Sequence, residues 1–177
     1  MANPLLVSED VAAEAFVRGF RLLDPVREAT NHNDGRVILA IQRIDGTTTG
    51  AAYCDSSVNY VGVGMFGRDW PMPLTASCTV SYLFAKKRGW LVTTPKRGDV
   101  FFRMTGPDEA HHTGGVLDTP DDDPSIPAGY VRVDSGNSGP ATDQGFHVEL
   151  MPVEGHTFAR WTRGLRLAAA PSAPSAA

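Results

Sequence analysis

The sequence predicts an α+β fold, with N-terminal helices packed on a C-terminal antiparallel sheet, and three observations carry that expectation. Apolar residues recur at helical spacing as far as about residue 89. Beyond Pro95 the chain breaks into short β-prone runs separated by Gly, Pro and Asp turns. Helices thus come first and strands second, which is the order that builds an α+β domain. The 177 residues, 42% hydrophobic and 20% charged, suit one globular domain large enough to bury a core. That domain is expected to span residues 1–168, followed at 169–177 by a mobile Ala/Pro/Ser-rich tail.

Each element has a local cause. Residues 8–23 read as a helix, with Ser8 as N-cap, Glu9 and Asp10 in the first turn, and Asp24-Pro25 as its end. "NHNDG" at 31–35 is a turn, and "RVILAIQRIDG" is a short helix closed by Gly46. Around 54–63, Cys54, Val58 and Val61 share one helical face. "FGRDWPMP" is an irregular loop bearing Trp70. "LTASCTVSYLFAKKRG" is a further helix, with Lys86, Lys87 and Arg88 in its last turn and Gly89 as its stop. The strand candidates are "RGDVFF", "HTGGVL", "YVRV", "FHVELMPV" and "RGLRLA". The insert "DTPDDDPSIPAG" at 118–129 is a loop whose acidic run, Asp121 to Asp123, is expected to be solvated.

Several function classes are disfavoured by composition. A net charge of −4 provides no global basic surface for nucleic acid. No run approaches 18 apolar residues, so no membrane-spanning helix is expected. The start, "MANPLLVSEDVAAEAF", lacks a basic n-region and a continuous apolar h-region, so no secretory signal is expected. The two cysteines, Cys54 and Cys78, read as free thiols.

Cys54 stands at the start of a predicted helix, where unpaired backbone N–H groups and the helix dipole favour thiolate over thiol. The competing reading is a buried structural cysteine, because free cysteine is among the most buried residue types. Cys78 falls inside a predicted helical turn and reads as structural. A nucleophilic thiolate needs a base, ordinarily histidine. His32 lies in a polar turn and His147 begins a strand; both read as surface positions. His111 and His112 open a strand ahead of two glycines, and alternation sends their side chains to opposite faces, so one of the two can look at the helices. Periodicity does not say which.

In this order, "YCDSSVNYV", "PKRGDVFF", "HTGGVLD" and "VDSGNSG" resemble the motifs of CHAP domains, the cysteine- and histidine-dependent amidohydrolases/peptidases. These are papain-like enzymes that cut peptidoglycan, many of them in phage lysins. Upstream, "VREATNHNDGRVILAIQRIDG" resembles the stretch leading to the catalytic helix of phage-type members, and downstream "FARWTRG" resembles their closing strand. The likeness covers roughly residues 10–168. It implies a papain-like CHAP fold with Cys54 as nucleophile and, from the family's His-Thr-Gly, His112 as base with His111 as its neighbour. The family's Glu-Gly-Asn-like third motif is imperfect here. "VDSGNSG" offers Asn137, with Asp134 one place early, and "VEGHT" offers Glu154 with His156 where asparagine is usual. Asn137 is the favoured orienting residue, Glu154 the runner-up, and Asp134 a turn cap. An amide oxygen at that place accepts from the imidazole and fixes its tautomer.

The remaining expectations concern the surroundings of the cysteine. The Cys54 N–H is a candidate oxyanion donor. Tyr53 and Ser56 are candidates to line the cleft, and Trp70 to stack on substrate or to pack on the domain itself. Calcium, which some CHAP domains hold, would find only Asp45 and Asp55 near Cys54. No zinc spacing is present, and no metal or other cofactor is expected. The resemblance implies hydrolysis of a peptidoglycan amide bond, by an endopeptidase or an N-acetylmuramoyl-L-alanine amidase, through a thioester. It implies a chain made in the cytoplasm that reaches the wall by release or delivery, and a monomer is expected. The alternatives are an inactive wall-binding or virion structural module on the same fold, and a papain-like deamidase or transferase acting on protein.

Overall fold

Segregation of helical and strand periodicity along the chain carries over into two layers. The computed structural model describes residues 8–165, and among these four α-helices precede six strands. The helices are α1 (Glu9–Leu23), α2 (Arg36–Gln42), α3 (Cys54–Phe66) and α4 (Cys78–Lys87). Ser8 caps α1 by accepting from the Val11 N–H at 3.3 Å, and Ser77 caps α4 by accepting from the Val80 N–H at 3.3 Å. A short 3₁₀ turn follows α2 and ends on Gly46 in the left-handed conformation, φ 83°.

The strands are β1 (Leu91–Val92), β2 (Val100–Gly106), β3 (Glu109–Asp118), β4 (Tyr130–Ser138), β5 (Gly145–Pro152) and β6 (His156–Ala159). They form one open antiparallel sheet in the order β1-β6-β2-β3-β4-β5. β3 is central, and α1, α3 and α4 all pack against it. Alternation along β2 sends Val100 and Phe102 into the core shared with the helices, and Phe101 into a second cluster with Val116, Val131, Val133, Met151 and Phe158. The layers are also tied by charge. Asp118, at the end of β3, accepts from Arg21 of α1 at 3.1 Å, from Arg132 of β4 at 3.2 Å, and from Arg97.

Two expectations are corrected, and of the two readings of Trp70, packing on the domain itself is the one the structure shows. The run "RGLRLA" is not a strand over its described part: a 3₁₀ turn covers Trp161–Gly164, and the closing strand is β6, just before it. Trp161 explains this, since its buried indole donates to the Gly98 carbonyl at 2.7 Å and anchors the turn. Trp70 is no surface platform. It is buried, stacks on Phe16 at 5.6 Å, meets Trp161 at 4.8 Å, and donates its indole N–H to Asn59 Oδ1 at 2.9 Å. The acidic run is not simply solvated either. Asp122 accepts from the Thr119 N–H and hydroxyl, and Asp123 pairs with Arg132 at 2.8 Å, bracing the turn before β4. Residues 1–7 of the segment read for a secretory signal, residues 166–168, and the expected tail at 169–177 lie outside the described residues. Among the described residues, no helix is long and apolar enough to cross a membrane.

Candidate active site

Two helix starts and one strand converge on a small buried polar cluster. Cys54 is the first residue of α3 and Cys78 the first residue of α4, so both sulfurs sit where a helix leaves N–H groups unpaired. The placement of Cys78 corrects the expectation of a mid-helix cysteine; α4 starts later than its apolar pattern suggests because Ser77 caps it. The two Sγ atoms are 3.3 Å apart, and both residues are buried, at 4% and 5% exposure. His112 reaches this pair from β3 and is itself only 8% exposed.

The proton distribution in the cluster has identifiable causes. The hydrogen bond from the Cys78 thiol is the largest influence holding the Cys54 thiol well below its ordinary value. A hydrogen bond from His112, the charge of that ring, and the Asp55 N–H act in the same direction, while burial opposes them. The same sulfur–sulfur bond, then burial, pushes Cys78 up, with the charges of Cys54 and Asp55 adding to the effect. These influences favour thiolate on Cys54 and the protonated thiol on Cys78. Asp55, beside them, is pushed up to about 8 by burial, against the hydrogen bond it accepts from Ser81 at 2.7 Å.

The far side of the imidazole is held by a residue the sequence reading passed over. His112 Nε2 lies 2.9 Å from Ser135 Oγ on β4. Asn137 does not occupy this position. Between Ser135 and Ser138 the pairing of β4 with β5 slips, and Asn137 takes a left-handed backbone, φ 58°, inside that bulge. Its side chain lines a neighbouring cleft instead. Glu154 sits exposed in the turn between β5 and β6, and its carbonyl accepts from His156 Nδ1. Asp134 caps no turn: it is fully buried within β4, and neither carboxylate oxygen has a hydrogen-bond partner. Tyr53 is also wholly buried, donating to Glu28 Oε1 at 3.0 Å, and Ser56 is buried with its hydroxyl unpartnered. Neither is a cleft residue.

The cleft beside His112 has a volume of about 540 Å³. Its walls include His111, which is exposed, together with Arg103, His147 and Glu149. Arg103 of β2 pairs with Glu149 of β5, and His147 Nε2 donates to the Asp143 carbonyl at 2.6 Å. His147 is thus a cleft residue rather than a free surface position. Cys54 does not line this cleft; it meets it through His112. His32 stays apart, its Nδ1 bonded to the Thr30 carbonyl at 2.7 Å. Asp45 accepts from Thr47, and among the described residues no three His, Cys, Asp or Glu side chains are grouped to hold a metal ion.

Ser135 left one usable signal in the sequence. It lies two positions before Asn137, so in a strand continuing from "YVRV" alternation would put both on one face. Choosing between them required the bulge. Comparison of the chain with family models, with curated proteins and with solved structures gave no match.

Proposed function

We propose that this chain is a cysteine-dependent hydrolase of the CHAP type, cleaving an amide bond in peptidoglycan through a thioester acyl-enzyme. The observation that carries the reading is the meeting of Cys54, at the head of α3, with a histidine whose other ring nitrogen is held by a hydroxyl. A thiolate beside an imidazole, with a third group fixing the ring, is the arrangement nucleophilic thiols use. The substrate class rests on the order of the sequence motifs.

In this reading the Cys54 thiolate attacks the carbonyl carbon, and the oxyanion gathers at the Cys54 N–H, which has no partner within the helix because it is the first residue. The protonated His112 donates to the departing amine as the C–N bond breaks, leaving a thioester. His112 then takes a proton from water, which attacks the thioester and releases the carboxylate and the thiolate. Ser135 holds the ring so that one nitrogen stays aimed at the sulfur throughout.

The test is turbidity clearing of purified cell walls by the wild type, Cys54→Ala and His112→Ala. Cys54→Ala is expected to abolish clearing, and His112→Ala to slow it by roughly 10²- to 10⁴-fold. Equal clearing by wild type and Cys54→Ala would end the proposal. One observation favours a second reading, a wall-binding module without activity: the sulfur is only 4% exposed. That reading predicts co-sedimentation with walls, no clearing, and slow alkylation of Cys54 at mildly acidic pH.

A further inference from the structure

We propose that Cys54 and Cys78 form a peroxide-responsive dithiol, in which oxidation of Cys54 is resolved by Cys78 into a disulfide joining the heads of α3 and α4. The pair is a modification site within the proposed active site, and its regulatory meaning rests on the reading of Cys54 as nucleophile. The chemistry of the pair itself does not.

Three features carry the inference. The sulfurs are 3.3 Å apart, so reaching a disulfide length of roughly 2.05 Å needs about 1.2 Å of closure. The two thiols are not equivalent: the Cys78 hydrogen bond, His112 and the Asp55 N–H hold the Cys54 thiol low, whereas the same sulfur–sulfur bond and burial push Cys78 up. One is therefore set to be oxidised first and the other to resolve it. Burial then selects the oxidant. At exposures of 4% and 5% the pair is reached most easily by a small oxidant, and hydrogen peroxide is little larger than water.

The steps balance. The Cys54 thiolate attacks one oxygen of hydrogen peroxide, the O–O bond breaks, and hydroxide leaves with sulfenic acid formed on Cys54. Hydroxide takes the Cys78 proton as that sulfur attacks Cys54 Sγ. The S–S bond forms, the S–O bond breaks, and the sulfenic oxygen leaves as water once protonated. In sum, one thiolate, one thiol, one peroxide and one proton taken from solvent give one disulfide and two waters. While the disulfide stands, Cys54 has no thiolate to attack a substrate carbonyl, and reduction restores it.

The experiment is peroxide titration of the wild type, Cys78→Ser and Cys78→Ala, with free thiols alkylated and tryptic peptides mapped without reductant. Trypsin cuts at Arg68, the basic residue between the two cysteines, so a disulfide appears as a linked peptide pair two hydrogens lighter than its parts. The expected result is that linked pair in the wild type, lost on dithiothreitol treatment. Both variants are expected to accumulate sulfinic or sulfonic acid on Cys54 instead. The proposal is overturned if wild-type Cys54 over-oxidises without a linked pair, or if peroxide leaves it unmodified. A linked pair in a protein that clears no walls would sink the hydrolase reading and leave the dithiol standing. Clearing without a linked pair would do the reverse.

Discussion

At the scale of single residues, the imidazole of His112 joins what the sequence suggested to what it hid. Its 2.9 Å contact with Ser135 Oγ, and the displacement of Asn137 to the cleft wall, separate two roles that one motif had merged. The two positions are expected to fail differently. A neutral hydrogen bond contributes about 0.5–1.5 kcal/mol, so Ser135→Ala should lower kcat for wall hydrolysis roughly threefold to tenfold with little change in KM. Asn137→Ala, touching only the cleft, should act on KM; steady-state kinetics on a soluble wall fragment separates the two, and a kcat loss confined to Asn137→Ala would reverse the assignment. Cys54 was readable as a candidate because a helix start has a local signature. His111 and His112 were readable only as a pair, the resemblance chose between them, and the strand begins earlier than expected, at Glu109. Ser135 was not readable, because its role depends on a bulge with φ 58° at Asn137 that no local pattern announces.

At the scale of elements, α3 sets the position of the cysteine, and its packing depends on glycine. A Cβ on Gly62 would lie 2.2 Å from the Trp70 ring, whereas one on Gly64 would meet nothing within 4 Å. Replacing an interior helical glycine by alanine gains about 0.5–1 kcal/mol in propensity. Gly64→Ala should therefore stabilise the protein by about that amount. Gly62→Ala gains the same propensity, but the rigid indole must move away from Asn59 and Trp161. Overpacking of about 1–3 kcal/mol should then leave it net destabilised in urea unfolding. A Gly62→Ala midpoint at or above wild type would refute this account of the helix. Elements of ordinary length were legible: α1, α3 and the cores of β2 to β5 follow apolar periodicity. The two-residue β1 and the turn at Trp161 were not, since windows that short carry no period and burial of one indole decides them.

At the scale of the whole molecule, the Asp134 carboxyl is buried with neither oxygen partnered, so folding should depend on pH. Burial pushes Asp134 up to about 7; the nearby charge of Asp24 adds to this, and the Ser135 N–H and the Arg27 charge oppose it. In the unfolded chain this carboxyl titrates near 4, so between about pH 4 and pH 7 the folded state binds a proton that the unfolded state does not. Stability should accordingly fall as pH rises through that window. Asp134→Asn should match the wild type in denaturant near pH 4 and exceed it at pH 8 by about 1–3 kcal/mol, the penalty of an unsatisfied buried group. An equal difference at both pH values would show that Asp134 is not the titrating group.

By itself, the sequence determined the order of the layers, the Ser8 cap of α1 and the place of Cys54 at the head of α3. Each of these follows from periodicity and local backbone chemistry, which neighbouring residues settle among themselves. Only the tertiary structure decided that Cys54 faces both Cys78 and His112, that Ser135 rather than Asn137 holds the ring, and that Trp70 belongs to the core. Those are contacts between residues 23 to 91 positions apart, set by how strand register, a bulge and helix packing combine, and no local pattern contains that sum.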